Sequence, residues 1–209
     1  MDDLIGELKK YLSTYSKHID NYNLEISIGN SLGKYIFDTN VSNKYWKNIK
    51  QKIETSHDYS RRKEFSYRIY SDFNKKLYVD SSGKLKCMET DVKNQSLCYN
   101  NTKGFDFKIS LLEKKAINTA TFPPKYKYHN LVDRNTVSYN FNNQFYINMS
   151  QVVPVEKGQV LYTITLLILK NNKISKNILL KNIMKQLQDI YSITNDKMID
   201  FKVYDHYDK

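Results

Sequence analysis

The chain has 209 residues, the size of one domain, and 40% of them are hydrophobic. That share, with 18 Tyr and 9 Phe, excludes a disordered chain and is enough to form a buried core. The 33 Lys and Arg against 22 Asp and Glu give a net charge of +11, which favours a polyanionic partner such as RNA, DNA or polyphosphate.

The basic composition has a second explanation. An excess of Lys, Asn, Ile and Tyr is also what an A/T-rich genome encodes, and the composition does not separate a functional patch from codon bias. Cys87 and Cys98 lack neighbouring Cys or His residues, which favours reduced thiols inside a cell. Residues 1–8 do not resemble a signal peptide, and the apolar stretch 160–169 is about half the length of a membrane-spanning helix. We therefore expect an intracellular protein of the nucleus, the cytoplasm or a viral factory, without a membrane partner.

Two helices and one strand are predicted in the first quarter of the chain. Apolar residues spaced by three and four predict an amphipathic helix over 2–20. The alternating segment 23–29 predicts a strand, and residues 43–55 return to helical spacing.

From Glu64 onward the hydrophobic period changes to two, which is typical of strands. The last strand, 160–169, precedes an amphipathic helix over 175–192. So many short strands leave edges that closure would remove, so we predict an α+β fold with a closed antiparallel β-barrel in a single domain, 1–209. The strands predicted between these limits are 65–70, 75–80, 85–89, 95–99, 105–112, 135–141 and 144–150.

The first and last predicted strands carry polar residues on one face, because successive side chains of a strand alternate. Asn23, Glu25 and Ser27 share a face of the first strand. Thr163, Thr165 and Leu167 share a face of the last strand. In order and setting these two strands resemble those of the tunnel-fold (triphosphate tunnel metalloenzyme) mRNA 5′-triphosphatases of fungi, protozoa and large DNA viruses.

In that family the two strands read roughly E-x-E-x-K-x-G and E-x-E-x-E, and their carboxylates hold a divalent metal. The resemblance therefore implies Mg²⁺ or Mn²⁺ as the cofactor and Glu25 as a metal ligand. Glu25 is the one carboxylate position retained, since the others carry amide, hydroxyl or apolar side chains. One carboxylate with neutral oxygens is a weak site for such a cation.

Three segments in the middle of the chain match the family best, namely 65–72, 83–90 and 105–113. They resemble its arginine strand, its lysine strand and its D-x-R-I-S-x-x-x-E strand. The resemblance implies phosphate binding by Arg68, Lys86 and Lys108, with Lys108 replacing an Arg, and a catalytic role for Glu113.

Two later segments match less closely. Residues 133–139 resemble a K-x-R-x-S-Y strand, which places Arg134 among the phosphate-binding candidates. Residues 147–152 resemble I-D-[LF]-T-x-V, with Asn148 for Asp and Ser150 for Thr.

Each candidate has a structural alternative. Glu25 could face solvent on an open sheet, and Arg68, between Tyr67 and Ile69, could make a surface cation–π contact. Lys108 and Glu113 could belong to an exposed charge pattern.

The resemblance implies an RNA 5′-triphosphatase-family protein of an mRNA-capping system, ancestrally removing the γ-phosphate from 5′-triphosphate RNA. The missing carboxylates imply weak or lost activity. Two alternatives stay open. One is a non-catalytic subunit of a capping or transcription assembly, and the other is a binder of another phosphate-rich ligand.

Overall fold

Eight antiparallel strands close into a barrel, with helices packed on its outside. The computed structural model describes residues 2–18, 20–32, 36–100, 105–122, 129–156, 158–170, 174–193 and 201–205. The helices are α1 (Asp2–Lys17), α2 (Asn43–Thr55) and α3 (Lys176–Ser192). The strands are β1 (Tyr22–Ser31), β2 (Phe37–Asp38), β3 (Tyr59–Asp72), β4 (Lys75–Asp80), β5 (Leu85–Asn100), β6 (Asp106–Ile117), β7 (Asn130–Phe141), β8 (Phe145–Pro154), β9 (Leu161–Ile168) and β10 (Phe201–Asp205).

The order of strands around the barrel is β1-β6-β5-β4-β3-β7-β8-β9, and β9 pairs back to β1. The remaining two strands extend its edges, since β2 pairs with the end of β1 and β10 with the end of β5. The predicted α+β closed antiparallel barrel is confirmed.

Tight turns between neighbouring strands follow from local sequence. Asn142 and Asn143 join β7 to β8 with φ of 44° and 57°, a conformation that Asn tolerates better than most residues. Gly83, between β4 and β5, has φ of 81°, which a residue with a side chain rarely adopts. Both turns separate strands that the sequence predicted as neighbours, 75–80 from 85–89 and 135–141 from 144–150.

One predicted break between strands is absent. The separate strands expected at 85–89 and 95–99 form one continuous strand, β5, with a bulge between Val92 and Asn94. The residues between the two predicted strands are mostly polar, and pairing to β6 along the length of β5 satisfies their backbone.

The main apolar core lies between the outer face of the barrel and the helices. On β1, Leu24, Ile26 and Ile28 are fully buried in this core together with residues of all three helices. Tyr15 of α1 also donates a hydrogen bond from its hydroxyl to the carbonyl oxygen of Ile168, 3.3 Å away. The predicted amphipathic helices therefore cover the barrel from outside, and its interior is left for the other face of each strand.

Gly29 allows β2 to fold against the end of β1. A Cβ atom at this position would lie 2.0 Å from the backbone oxygen of Asp38 and 2.9 Å from the ring of Phe37. No side chain fits there without displacing β2.

A candidate phosphate-binding site inside the barrel

Strand alternation identifies the residues that face the barrel interior. Because Leu24, Ile26 and Ile28 point outward into the apolar core, Glu25 and Ser27 between them point inward. The cross-strand pairs extend this assignment around the barrel, since directly opposed residues share a face.

The first and last strands of the barrel are direct neighbours. Glu25 lies opposite Leu167, and Ser27 lies opposite Thr165. On its other side Ser27 lies opposite Lys108 of β6. The polar faces recognised in the sequence therefore meet inside the barrel.

Among the described residues, four inward-facing cationic side chains are close enough to Glu25 or to one another to interact by charge, and they come from three strands. Lys76 comes from β4, Lys108 and Lys114 from β6, and Arg134 from β7. We call these four residues the interior basic cluster. Glu25 faces the same space, and its carboxylate forms an ion pair with the Lys114 ammonium.

The charges of the cluster act on one another across the barrel. Burial lowers the pKa of the Lys76 ammonium, and the positive charges of Arg134 and Lys114 lower that pKa further. Burial also lowers the pKa of Lys108, while the charge of Glu25 opposes that shift. Burial is the main cause of both shifts, and at Lys76 the neighbouring cations add to it.

Arg134 is the most informative member of the cluster. Burial lowers the pKa of its guanidinium, the nearby Tyr78 and the charge of Glu25 oppose that shift, and the arginine stays protonated. Among the described residues its Nε atom is buried without a hydrogen-bond partner. A buried charged donor without an acceptor is costly, and a phosphate oxygen would satisfy it.

At one end of the interior, Lys108 lies beneath β2. Its Nζ atom is 5.3 Å from the centre of the Phe37 ring, a distance at which an ammonium is attracted to an aromatic face. The strand that Gly29 admits therefore helps to position this lysine.

Neutral hydrogen bonds fill the interior face of β7 and β8. The hydroxyls of Thr136 and Ser150 are 2.8 Å apart, and the Ser138 hydroxyl donates to Oδ1 of Asn148 at 2.7 Å. Asn148 and Ser150 stand where the related motif has Asp and Thr, so no carboxylate accompanies Arg134 on this part of the wall.

Solved RNA triphosphatases have the same architecture. The Pct1 RNA triphosphatase of S. pombe aligns with a TM-score of 0.69 at 10% sequence identity, covering 94% of each chain. The triphosphatase of the Mimivirus capping enzyme aligns with a TM-score of 0.60 at 12% identity, covering 91% of this chain and 98% of that one. This chain has the tunnel fold.

The S. pombe protein also has a structure with a bound partner. Pct1 has also been solved in complex with the Spt5 CTD, and that structure aligns with a TM-score of 0.68 at 9% identity, covering 94% of this chain and 95% of that chain. No protein-family model matches the sequence, and no curated protein matches it.

Within the tunnel fold, three of the six site residues predicted from sequence share the interior. Glu25, Lys108 and Arg134 lie on its inward faces. Lys86 lies opposite Tyr78 on an inward-facing position, but its side chain is exposed.

Arg68 lies on the outer face of the barrel. Its neighbour Tyr67 is opposite Arg134 and faces inward, so alternation turns Arg68 outward. There it makes two hydrogen bonds to the Asp133 carboxylate, at 2.8 and 3.1 Å, with 54% of its side chain exposed. The structure separates Arg68 from the interior, and we leave it out of the proposed phosphate site.

Glu113 also points outward, because it follows the inward-facing Leu112 on β6. Its carboxylate is 2.7 Å from the Lys93 ammonium and 3.2 Å from that of Lys115, and these contacts lower its pKa. A carboxylate held in its ionised form outside the barrel is poorly placed for the catalytic role that the motif implied, and we leave it out of the site as well.

Two members of the cluster were missed in the sequence. Lys114 has the same strand parity as Lys108, six residues earlier, so period-two spacing along β6 could have identified it. No pattern in the sequence identified Lys76, because its closeness to Glu25 depends on closure of the barrel.

The interior donor set does not fit a resident Mg²⁺ or Mn²⁺ ion. In the described part of the chain no three Asp, Glu, His or Cys side chains come together as a cation site. Glu25 is already paired with Lys114, and its neighbour on the last strand is the apolar Leu167. Hard divalent cations prefer several anionic oxygens, and here cations surround Glu25.

Two other carboxylates on inward-facing strand positions are engaged at the ends of the barrel. Asp106 accepts a hydrogen bond from the backbone N–H of Ser31 at 2.7 Å. Asp80 accepts hydrogen bonds from the turn that follows it, including the N–H groups of Ser82 and Lys84, both at 2.9 Å.

No helix in the described ranges is long and apolar enough to cross a membrane.

Proposed function

We propose that this protein binds the 5′-triphosphate end of RNA inside its barrel, as an RNA 5′-triphosphatase-family protein of an mRNA-capping system. The observation that supports this proposal is the interior basic cluster, whose four cations surround the carboxylate of Glu25, in a fold shared with RNA triphosphatases. A triphosphate chain carries several negative charges for such an interior to bind and supplies an acceptor for the Nε atom of Arg134.

In this proposal the residues have separate tasks. The Arg134 guanidinium donates to phosphate oxygens through its fork of N–H groups, while Lys76 and Lys108 neutralise charge from facing walls. Tyr67 and Tyr78 line the same interior and pack at 5.7 Å between ring centres. Lys86 at the exposed end would contact the RNA as it enters.

Hydrolysis of the γ-phosphate with Mg²⁺ or Mn²⁺ should be weak or absent. Losing charged metal ligands removes several kcal/mol of transition-state stabilisation, on the order of a thousandfold in rate. Phosphate release from 5′-triphosphate RNA measures this directly.

The paired substitution Thr163→Glu with Thr165→Glu should raise Mn²⁺-dependent phosphate release. The control, Thr163→Gln with Thr165→Gln, introduces side chains of equal size without charge and should not raise it. Rapid release by the wild type that survives Glu25→Ala would contradict this expectation.

A non-catalytic subunit of a capping or transcription assembly is the second candidate. The donor set around Glu25, which does not fit a divalent cation, favours it, and Pct1 in complex with the Spt5 CTD is a precedent for a transcription partner on this fold. Tight binding of triphosphate RNA without phosphate release, including after charge restoration at 163 and 165, would favour the subunit over the enzyme.

Residues 1–209 are proposed to act as one tunnel-fold domain. The nucleus, the cytoplasm or a viral factory is the compartment that suits a capping function.

The relative affinity for two ligands distinguishes a protein that binds RNA ends from one that binds another phosphate-rich ligand. Triphosphate RNA should bind more tightly than inorganic tripolyphosphate, and equal affinities would favour the simpler binder.

A further inference from the structure

The interior of this barrel holds an ammonium where a carboxylate would otherwise be free to take a metal ion. Glu25 forms an ion pair with Lys114, which reaches it from β6. The Glu25 side chain is 19% exposed and that of Lys114 is 33% exposed, so the pair is partly shielded from solvent. A divalent cation beside Glu25 would have to displace this ammonium.

The surrounding charge opposes such a displacement. Lys76, Lys108 and Arg134 face the same space, and the electrostatic influence of Glu25 extends to all three. Replacing the single charge of Lys114 by a double charge would add repulsion, with no second carboxylate on the last strand to offset it. An anion relieves this repulsion, whereas a cation increases it.

We propose that the Lys114 ammonium, held by Glu25, stands in for the divalent cation, so that this barrel binds a 5′-triphosphate without metal. This inference rests on the proposed function and adds to it the mode of binding. An ammonium donates hydrogen bonds to phosphate oxygens and neutralises their charge, but it does not activate water as a bound metal ion does. Metal-free binding with little hydrolysis is the consequence.

Charge substitutions at the pair distinguish the two modes of binding. If Lys114 contacts phosphate, Lys114→Met should weaken tripolyphosphate binding on the order of tenfold or more, and Lys114→Arg should retain most of it. Glu25→Gln removes negative charge from the interior and should leave binding unchanged or tighten it. In a metal-held mode the same Glu25→Gln substitution would abolish binding.

Lys115→Met is the matched control. Lys115 is the next residue along β6, faces outward and pairs with Glu113 at 3.2 Å. It has the same charge and length as Lys114 without access to the interior. Its substitution should leave the affinity within about twofold of the wild type, since exposed pairs contribute little.

The experiment is calorimetric titration of the full chain with tripolyphosphate in EDTA and, separately, with added MnCl₂. Thermal unfolding of each variant establishes that it is folded. Wild-type binding in EDTA that Lys114→Met weakens and Glu25→Gln does not weaken supports the inference. Binding only with Mn²⁺, lost in Glu25→Gln and kept in Lys114→Met, overturns the inference and leaves the proposed function standing. No binding by the wild type in either condition overturns both.

Discussion

Arg134 and Arg68 are two arginines of one chain with opposite surroundings. Arg134 faces the barrel interior with a buried Nε atom that lacks a partner among the described residues, and Arg68 is paired with Asp133 on the outer face. They form a natural comparison, because the same substitution removes the same group from the two sides of the barrel wall.

We expect Arg134→Ala to weaken tripolyphosphate binding roughly 10- to 100-fold, since a charge-assisted hydrogen bond contributes about 1.5–3 kcal/mol. Arg68→Ala should change the affinity less than about twofold. Calorimetric titration of the two variants measures both values. Equal losses in the two variants would place the phosphate site outside the interior described above.

The stability of the protein should depend on pH through Lys76. Its pKa is lowered in the folded protein by burial and by neighbouring cations, so the folded state binds its proton less readily than the unfolded chain does. The free energy of unfolding should therefore rise as the pH increases from the lowered folded pKa toward the unfolded pKa. At a pH below both pKa values Lys76 is charged in the folded and the unfolded chain, and the buried charge then lowers the free energy of unfolding by its full amount.

Lys76→Met removes this cost. The variant should be more stable than the wild type at neutral pH, and its advantage should shrink as the pH approaches the ordinary pKa of lysine. Urea unfolding at a series of pH values measures the difference. The control is Lys115→Met, whose partner Glu113 lies on the outer face and whose substitution should give no such trend.

At the scale of elements, the contact between β1 and β2 depends on one glycine. Gly29→Ala would place a Cβ atom 2.0 Å from the backbone oxygen of Asp38, so β2 must move. Overpacking of this kind costs about 1–3 kcal/mol in the free energy of unfolding. Because β2 carries Phe37 over Lys108, the substitution should also weaken phosphate binding.

Gly6→Ala is the control for this substitution. Gly6 lies in α1, and a Cβ atom there has nothing within 4 Å. Alanine is the better helix former by about 1 kcal/mol, so this variant should be slightly more stable than the wild type and bind phosphate as the wild type does. Denaturant unfolding of both variants checks the pair, and a stable Gly29→Ala protein would show that β2 yields without cost.

The elements also show how far local sequence carries the fold. The hairpin at Asn142 and Asn143 was predictable from its turn residues. The helix α2 occupies the predicted range 43–55, because its buried apolar residues are spaced by three and four throughout. The continuity of β5 was not predictable in this way, since its polar middle is held by pairing to β6, a neighbour that the local sequence does not specify.

For the whole molecule, filling the interior with an anion should stabilise the fold. A ligand at about 100 times its dissociation constant adds about 2.7 kcal/mol, and a chain of this size gains roughly 2–4 °C per kcal/mol. Tripolyphosphate should therefore raise the unfolding temperature by about 5–10 °C. Scanning calorimetry measures the shift, which added NaCl should reduce through screening.

Loss of the interior charges should remove that stabilisation. The double variant Lys76→Met with Lys108→Met should unfold at a temperature that tripolyphosphate hardly changes. A shift as large as that of the wild type would mean that the anion binds elsewhere on this basic chain, whose net charge is +11.

The sequence by itself determined the alternation along each strand, the amphipathic helices and the shared polar face of Asn23, Glu25 and Ser27, because these depend on residues close together in the chain. It did not determine which side of a strand faces inward. Arg68 and Glu113 were assigned to the site on motif spacing, yet each lies one residue away from an inward-facing position.

Closure of the barrel decided the rest. Lys76 and Glu25 act on each other because both face the enclosed interior, although 51 residues separate them. The pairing of Lys114 with Glu25 likewise arises from side chains 89 residues apart. Periodicity specifies a face, but only the tertiary structure specifies which faces enclose a common space and which charges must balance within it.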